Sequence, residues 1–280
     1  MSRRAWSILL AALALIALAC KTPTPEEPGL PGEPPPPPVE GLPSSMIALG
    51  DSLTAAYGSC LAPTACPRNS WATGNGTQVR SHYRRILDAN PAIEGHNRNL
   101  ARPGAEVADL VGQAEQAAAQ PADYVTILVG GNDACRGDMT SPGAFRDSLD
   151  RALGVLHDAM PEARVLFVSI PDIYRVWELG HTNKIAVGVW KSGVCPNLLE
   201  NPTSTAPEDV ARRQAFAERI SAYNEQIRRA CDAYGPRCRH NNVADFAFEL
   251  TMLSALDFFH PNAAGQQALS DETYPDEFEW

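Results

Sequence analysis

Positive charge is scarce in this sequence. Lysine occurs three times, at Lys21, Lys184 and Lys191, and 23 Lys and Arg stand against 33 Asp and Glu for a formal net charge of −10. That figure becomes −12 without Arg3 and Arg4. No basic surplus is left to neutralise phosphates, which argues against nucleic-acid binding. Long hydrophobic runs are also lacking: the longest, Ala5 to Ala19, falls short of the roughly 20 residues a spanning helix needs. No Cys-x-x-Cys pair is present, so a structural zinc site is not expected. Thr54 stands where a Gly-x-Ser-x-Gly elbow around Ser52 would need glycine. Leu18, His181 and Gly188 stand three residues before the lysines, which removes Ser-x-x-Lys chemistry. No metal or cofactor is implied.

What is present begins with an address. Arg3 and Arg4 precede the apolar run, and the run ends in small residues at Ala17-Leu18-Ala19-Cys20. This is the layout of an export signal over residues 1–19. Its last four residues resemble a bacterial lipobox, which implies lipid on Cys20. Residues 20–43 then hold ten of the 24 prolines, including Pro34 to Pro38. Proline fixes φ and donates no amide hydrogen, so this stretch reads as an extended, semi-rigid stalk. Residues 44–280 remain for one folded domain. The seven cysteines are odd in number; assigning Cys20 to lipid leaves an even set. Cys60 with Cys66 and Cys231 with Cys238 are close in sequence and expected to pair, leaving Cys135 with Cys195. In an oxidising compartment such bridges persist.

Within the domain, apolar runs alternate with helical periodicity. Met46 to Leu49, Asn97 to Ala101, Tyr124 to Val129 and Arg164 to Ile170 read as strands. Val107 to Gln120, a segment from Ser141 as N-cap to about Met160, and Pro207 to Tyr234 read as helices. Asn241 to Ala247 reads as a last short strand. The alternation predicts an α/β fold with a parallel sheet covered on both faces, and function then collects at the carboxyl ends of the strands. Those ends carry Gly50-Asp51-Ser52-Leu53, Asn99 to Gly104 and Gly130-Gly131-Asn132-Asp133.

Near the end of the chain Asp257 precedes His260 by three residues. In a tight turn its carboxylate reaches the imidazole Nδ1, fixes the tautomer and leaves Nε2 as a base. A serine hydroxyl needs such an oriented base to attack a carbonyl, and Ser52 is the candidate nucleophile. The amides of Ser52 and Gly104 and the side chain of Asn132 have the chemistry to hold an oxyanion. Asp51 and Asp133 are expected to hydrogen-bond neighbouring backbone and stay outside the catalytic set. The histidines other than His260, His82 among them, have no spaced partner and read as structural or exposed.

In this order, Gly50-Asp51-Ser52-Leu53, Gly104, Gly130-x-Asn132 and Asp257-x-x-His260 resemble the four blocks of the SGNH, or GDSL-type, hydrolases. The resemblance implies a three-layer flavodoxin-like fold, Ser52 as nucleophile, His260 as base, Asp257 as its orienter, and an oxyanion hole from Ser52, Gly104 and Asn132. It implies metal-free hydrolysis of acyl esters. The segments around Cys60, Arg68 to Trp71, Ser81 to Tyr83, Gly95 to Asn97 and Asn201 to Ser204 are similar to secreted bacterial members of lipase and phospholipase type. The expectation is an exported serine esterase, tethered by lipid to the cell envelope and favoured as a monomer, acting on lipid or phospholipid esters. Deacetylation of a polysaccharide is the alternative, and a non-catalytic stalked binding lipoprotein is the reading from another class. The acyl pocket is expected from the loops Cys60 to Trp71 and Val176 to Asn201.

Overall fold

The computed structural model describes residues 37–246 and 248–280. The leader, Cys20 and most of the proline-rich stretch lie outside the described residues. Five strands, β1 (Met46–Gly50), β2 (Asn97–Asn99), β3 (Tyr124–Leu128), β4 (Arg164–Val168) and β5 (Cys238–Asn241), form one parallel sheet in the order β2-β1-β3-β4-β5. This is the doubly wound order with its switch point at β1. Every residue of β1 and β3 is buried, as expected of strands covered on both faces.

Helices α2 (Leu110–Ala118), α4 (Pro142–Ala159) and α8 (Pro207–Tyr234) pack together over one face of the sheet. On the other, α1 (His82–Ala89) and α9 (Ala263–Thr273) meet Tyr124 of β3 through His82. Between the strands run α3 (Gly131–Cys135), α5 (Tyr174–Gly180), α6 (Lys184–Trp190) and α7 (Pro196–Leu199). Among the described residues no helix is long and apolar enough to cross a membrane. Helix α4 starts where Ser141 and Pro142 predict, with the Ser141 hydroxyl accepting from the Ala144 amide at 3.2 Å. Helix α8 has the predicted bounds, Pro207 to Tyr234.

Several bounds differ. The helix expected from Val107 opens instead as a 3-10 turn over Val107–Asp109, and the α-helix begins at Leu110. The last strand is Cys238–Asn241 rather than Asn241 to Ala247. It is a half-buried edge strand of polar residues, so the apolar signal at Val243 and Phe246 pointed to the loop that follows it. The packed unit also begins before Ser44. The Val39 amide donates to Asn90 Oδ1 at 3.2 Å, and Asn90 Nδ2 donates to the Pro43 carbonyl at 2.9 Å. Disulfides join Cys60 to Cys66, Cys135 to Cys195 and Cys231 to Cys238.

His82 is fully buried and clamps three elements. Thr273 Oγ1 donates to the Leu269 carbonyl at 2.6 Å, so at 2.9 Å it accepts from His82 Nε2. Nδ1 is then free to accept from the Tyr124 hydroxyl at 3.0 Å. That arrangement requires neutral imidazole. Burial, then the Arg85 charge, pushes the His82 pKa down from 6.5 to about 3. The stability this contributes is complete above pH 6.5 and is lost as pH falls from there towards about 3, because the unfolded chain takes up the proton first. Urea unfolding at pH 7 and pH 5 tests this. Wild type should lose on the order of 1–2 kcal/mol more than His82→Gln over that interval, and equal losses would refute the assignment.

Candidate active site

Strand β1 ends against a neighbour's backbone. Gly50 has φ +141°, and a Cβ there would lie 2.0 Å from the Leu128 carbonyl oxygen of β3. Only glycine fits. Gln113 of α2 grips the same residue from behind, accepting from the Gly50 amide at 2.7 Å and donating to its carbonyl at 2.9 Å. The chain then turns, and Ser52 stands at the carboxyl edge of the sheet.

Ser52 Oγ lies 2.9 Å from His260 Nε2, and His260 Nδ1 lies 2.6 Å from Asp257 Oδ2. Asp257 Oδ1 also accepts the amides of Phe259 and His260, each at 3.0 Å. Burial opposes ionisation of Asp257, but the hydrogen bonds and charge of His260 outweigh it and hold the carboxyl below its usual range. His260 Nδ1–H donates to the ionised Asp257, which leaves the Nε2 lone pair for the serine hydroxyl.

This turn is anchored from several sides. The Ser254 amide donates to the His260 carbonyl at 2.7 Å, and the Ser254 hydroxyl donates to the Gly58 carbonyl at 3.1 Å. Trp190 of α6 donates its indole N–H to the Asp257 carbonyl at 3.1 Å. Gln266 of α9 donates to the Leu53 carbonyl at 2.9 Å while accepting from the Trp71 amide at 2.9 Å. The Tyr57 ring sits 4.8 Å from the imidazole, centre to centre.

Among the described residues, neither the Ser52 amide nor the Gly104 amide donates to a backbone carbonyl. Gly104 takes the left-handed φ of +85°, in the turn that closes where the Ala105 amide donates to Arg102. Asn132 Nδ2 donates to the Ala105 carbonyl at 2.9 Å, which leaves its second N–H free. Ser52, Gly104, Asn132, Asp257 and His260 all line one cleft. The expected site residues therefore stand together, and the arrangement can present donors to an oxygen near Ser52.

Residues outside the expected set sew the three turns to one another. Asp51 accepts from the Leu53 amide at 2.9 Å, and its Oδ2 lies beside Gly131 at the start of α3, 3.8 Å from where a Cβ on that glycine would stand. Asp133 accepts from the Val107 amide at 2.9 Å, tying α3 to the segment after Gly104. Both act on backbone, as expected. Asn99 at the end of β2 donates to the Thr54 carbonyl and to Thr73 Oγ1, each at 2.9 Å. The signal that could have found it is its place at a strand's carboxyl end; Gln113 and Gln266 sit inside helices and carry no such signal. Burial pushes Asp51 up to about 7 and Asp133 up to about 6.

The profile of the GDSL-like lipase/acylhydrolase family matches residues 48–268. Phospholipase B1, membrane-associated, of Rattus norvegicus is 28% identical over 212 residues, 61% of this chain and 15% of that protein. The Homo sapiens protein of the same name is 28% identical over 189 residues, 54% of this chain and 12% of that protein. The chain thus spans a small fraction of the length of these relatives. A structure described as a GDSL-like lipase from Parabacteroides merdae superposes with a TM-score of 0.51 at 14% identity, over 84% of this chain and 96% of that one. A Clostridium thermocellum family 3 carbohydrate esterase gives a TM-score of 0.47 at 13% identity, over 82% of this chain and 92% of that one. At 14% identity the likeness to the Parabacteroides merdae structure speaks of the fold alone.

The buried Asp51 generates a pH prediction of opposite sign to that of His82. A carboxyl whose pKa is raised on folding stabilises most below its unfolded value, near 3.8, and that contribution is lost as pH rises towards about 7. Between pH 4 and pH 7 wild type should lose stability relative to Asp51→Asn by on the order of 1 kcal/mol per pH unit. Chemical denaturation at the two pH values checks it, and parallel curves would show that Asp51 is ionised throughout.

Proposed function

This chain belongs to the GDSL-like lipase/acylhydrolase family, and on that premise we propose that it is an extracytoplasmic serine esterase working through an acyl-Ser52 intermediate. The observation that carries the reading is the hydrogen-bonded chain from Ser52 through His260 to Asp257 at the carboxyl edge of the sheet. His260 Nε2 takes the hydroxyl proton as Ser52 Oγ bonds to the ester carbonyl carbon. The amides of Ser52 and Gly104 and the free N–H of Asn132 hold the oxyanion. As the carbon–oxygen bond to the alcohol breaks, His260 returns the proton to the departing oxygen. Water then enters, gives its proton to His260, and releases the carboxylic acid while Ser52 regains its hydrogen. Asp257 orients the imidazole and stabilises its cation throughout.

The leader, with lipid on Cys20, would place this chemistry at the cell envelope, and the stretch to residue 43 would serve as stalk. Two or more acyl chains hold a protein to a membrane where one is marginal. For the substrate, the similarity to phospholipase B1 supports a lipid or phospholipid ester. The narrow apolar slot beside Ser52 favours the second reading, a short acyl group such as an acetyl on a polysaccharide.

Fluorophosphonate labelling with turnover of p-nitrophenyl esters tests the chemistry. Wild type should label and turn over, and Ser52→Ala should do neither. Asn132→Ala should label more slowly, with kcat reduced roughly 100- to 1,000-fold. A folded wild-type protein that neither labels nor cleaves any ester would end the reading. For the anchor, intact-mass analysis of membrane-extracted protein should find a chain that begins at Cys20 and carries acyl mass; an unmodified chain beginning beyond Cys20 would contradict it.

A further inference from the structure

The space around Ser52 is two chambers of unequal size. An inner slot enclosing about 30 Å³ is walled by Leu53, Pro171, Ile173, Val176, Phe248 and Phe259. An outer cleft of about 490 Å³ is bordered by Tyr57, Gly104, Arg136, Val194, Leu256 and His260. Ser52, Asn132, Cys135 and Phe259 border both, whereas His260 borders only the outer one. None of the residues 60–71 lines either chamber, so that part of the expected acyl-pocket wall lies elsewhere.

The proton route decides what each chamber holds. His260 must reach the oxygen that departs, so the alcohol lies on its side, in the outer cleft. The acyl chain is left with the inner slot, whose lining is mainly apolar. At about 30 Å³ against about 490 Å³ the slot is by far the smaller space, which suits a short acyl chain rather than a long one.

What closes the slot is one side chain. Ile173 follows β4 by way of Pro171 and Asp172, and its Cδ1 points at Gly131, 3.3 Å from where a Cβ on that glycine would stand. Ile173 also lines a separate groove of about 230 Å³ with Phe216, Ile220 and Ala244 on its apolar side and Asp172, Asn224 and Asp245 on its polar side. Slot and groove thus meet at a single isoleucine. Phe216 and Ile220 are apolar and belong to the buried core, so the apolar side of the groove offers an acyl chain a continuation that Ile173 denies.

We infer that Ile173 is the acyl-length stop of this enzyme, and that its substrates are short-chain acyl esters, acetyl to about butyryl, of bulky alcohols. This rests on the serine-esterase reading proposed above, and deepens it. Ile173 touches the acyl chain and takes no part in proton transfer. Shortening it should therefore change which esters are cleaved while leaving labelling of Ser52 by a small fluorophosphonate intact.

The test is a p-nitrophenyl ester series from acetate to dodecanoate on wild type, Ile173→Val and Ile173→Ala. Fluorophosphonate titration counts active sites in each, and thermal melts establish folding. Wild-type kcat/KM should peak between acetate and butyrate and fall roughly tenfold or more by octanoate. Ile173→Ala should raise the octanoate-to-acetate ratio roughly tenfold, with Ile173→Val between. The milder valine variant carries the test if alanine unfolds the protein. On the alcohol side, an acetylated xylotriose should show a lower KM than ethyl acetate. A wild-type optimum at octanoate or longer, or an unchanged ratio in a folded variant that opens the position, overturns the inference while leaving the esterase standing. An equal KM for the two acetates overturns the alcohol assignment. Failure of wild type to label or to cleave any ester overturns both readings together.

Discussion

The contact on which the rest of the structure depends is between two stretches of backbone, Gly50 at the end of β1 and the Leu128 carbonyl at the end of β3. There is no room for a Cβ between them. Because β1 can press this closely against β3, the chain leaves the sheet at the switch point with Ser52 beside the turn that carries Asn132. Any side chain at position 50 would push the two turns apart, and misplacement by about an ångström is enough to cost a catalytic constellation most of its rate. The sheet order does the remaining work: β2 and β3 both flank β1, so the turns with Gly104 and Asn132 reach Ser52 from either side.

Holding three turns together requires polar atoms where water is absent. Gln113, Gln266, Asn99, Asp51 and Asp133 each satisfy backbone amides or carbonyls that the turns leave without ladder partners. Buried polar groups are tolerated when so paired, and unpaired they cost roughly 1–3 kcal/mol each. The last turn is added differently. Asp257 and His260 come from the far end of the chain and are fixed by Ser254 against Gly58 and by Trp190 against the Asp257 carbonyl. The four parts of the site are thus independent in sequence and cross-linked by side chains that perform none of the chemistry.

That separation explains what was legible beforehand. Apolar runs bounded by Gly and Pro marked β1, β3 and β4 because buried parallel strands are apolar on both faces. Helix α8, expected from about Pro207 to Tyr234, is opened by Pro207 and capped by Gly235. The spacing of Asp257 and His260 is local, so their contact could be foreseen; that Ser52 would meet them depended on the resemblance of the whole ordered set. Less was legible where tertiary packing overrides pattern. Helix α1 begins at His82, whose place is set by Tyr124 and Thr273 rather than by periodicity. Strand β5 is polar because it is an edge, and the apolar Val243, Phe246 and Phe248 that follow it pack into or against the core instead. Ile173 is one apolar residue among many until both of its neighbouring spaces are seen.

The ionisable groups show what the site costs the fold. His82 and Asp51 are both buried and burial favours the neutral form of each, yet they pull stability in opposite directions with pH. His82 joins three elements of the scaffold with a tautomer suited to its partners, so its neutral form is the one the folded state needs above pH 6.5. Asp51 is in the reverse position. As a carboxylate it would accept the Leu53 amide more strongly, but the water-excluding packing under Ser52 penalises the charge, and the nearby carboxyl of Asp133 adds to the penalty. A more polar or more open setting would relieve both carboxyls and would also loosen the stitches between the β1 turn, α3 and the turn after β2. The fold gives up stability near neutral pH at Asp51 and Asp133 in return for a rigid floor beneath the nucleophile. The scaffold histidine on the opposite face, away from the site, carries no such conflict.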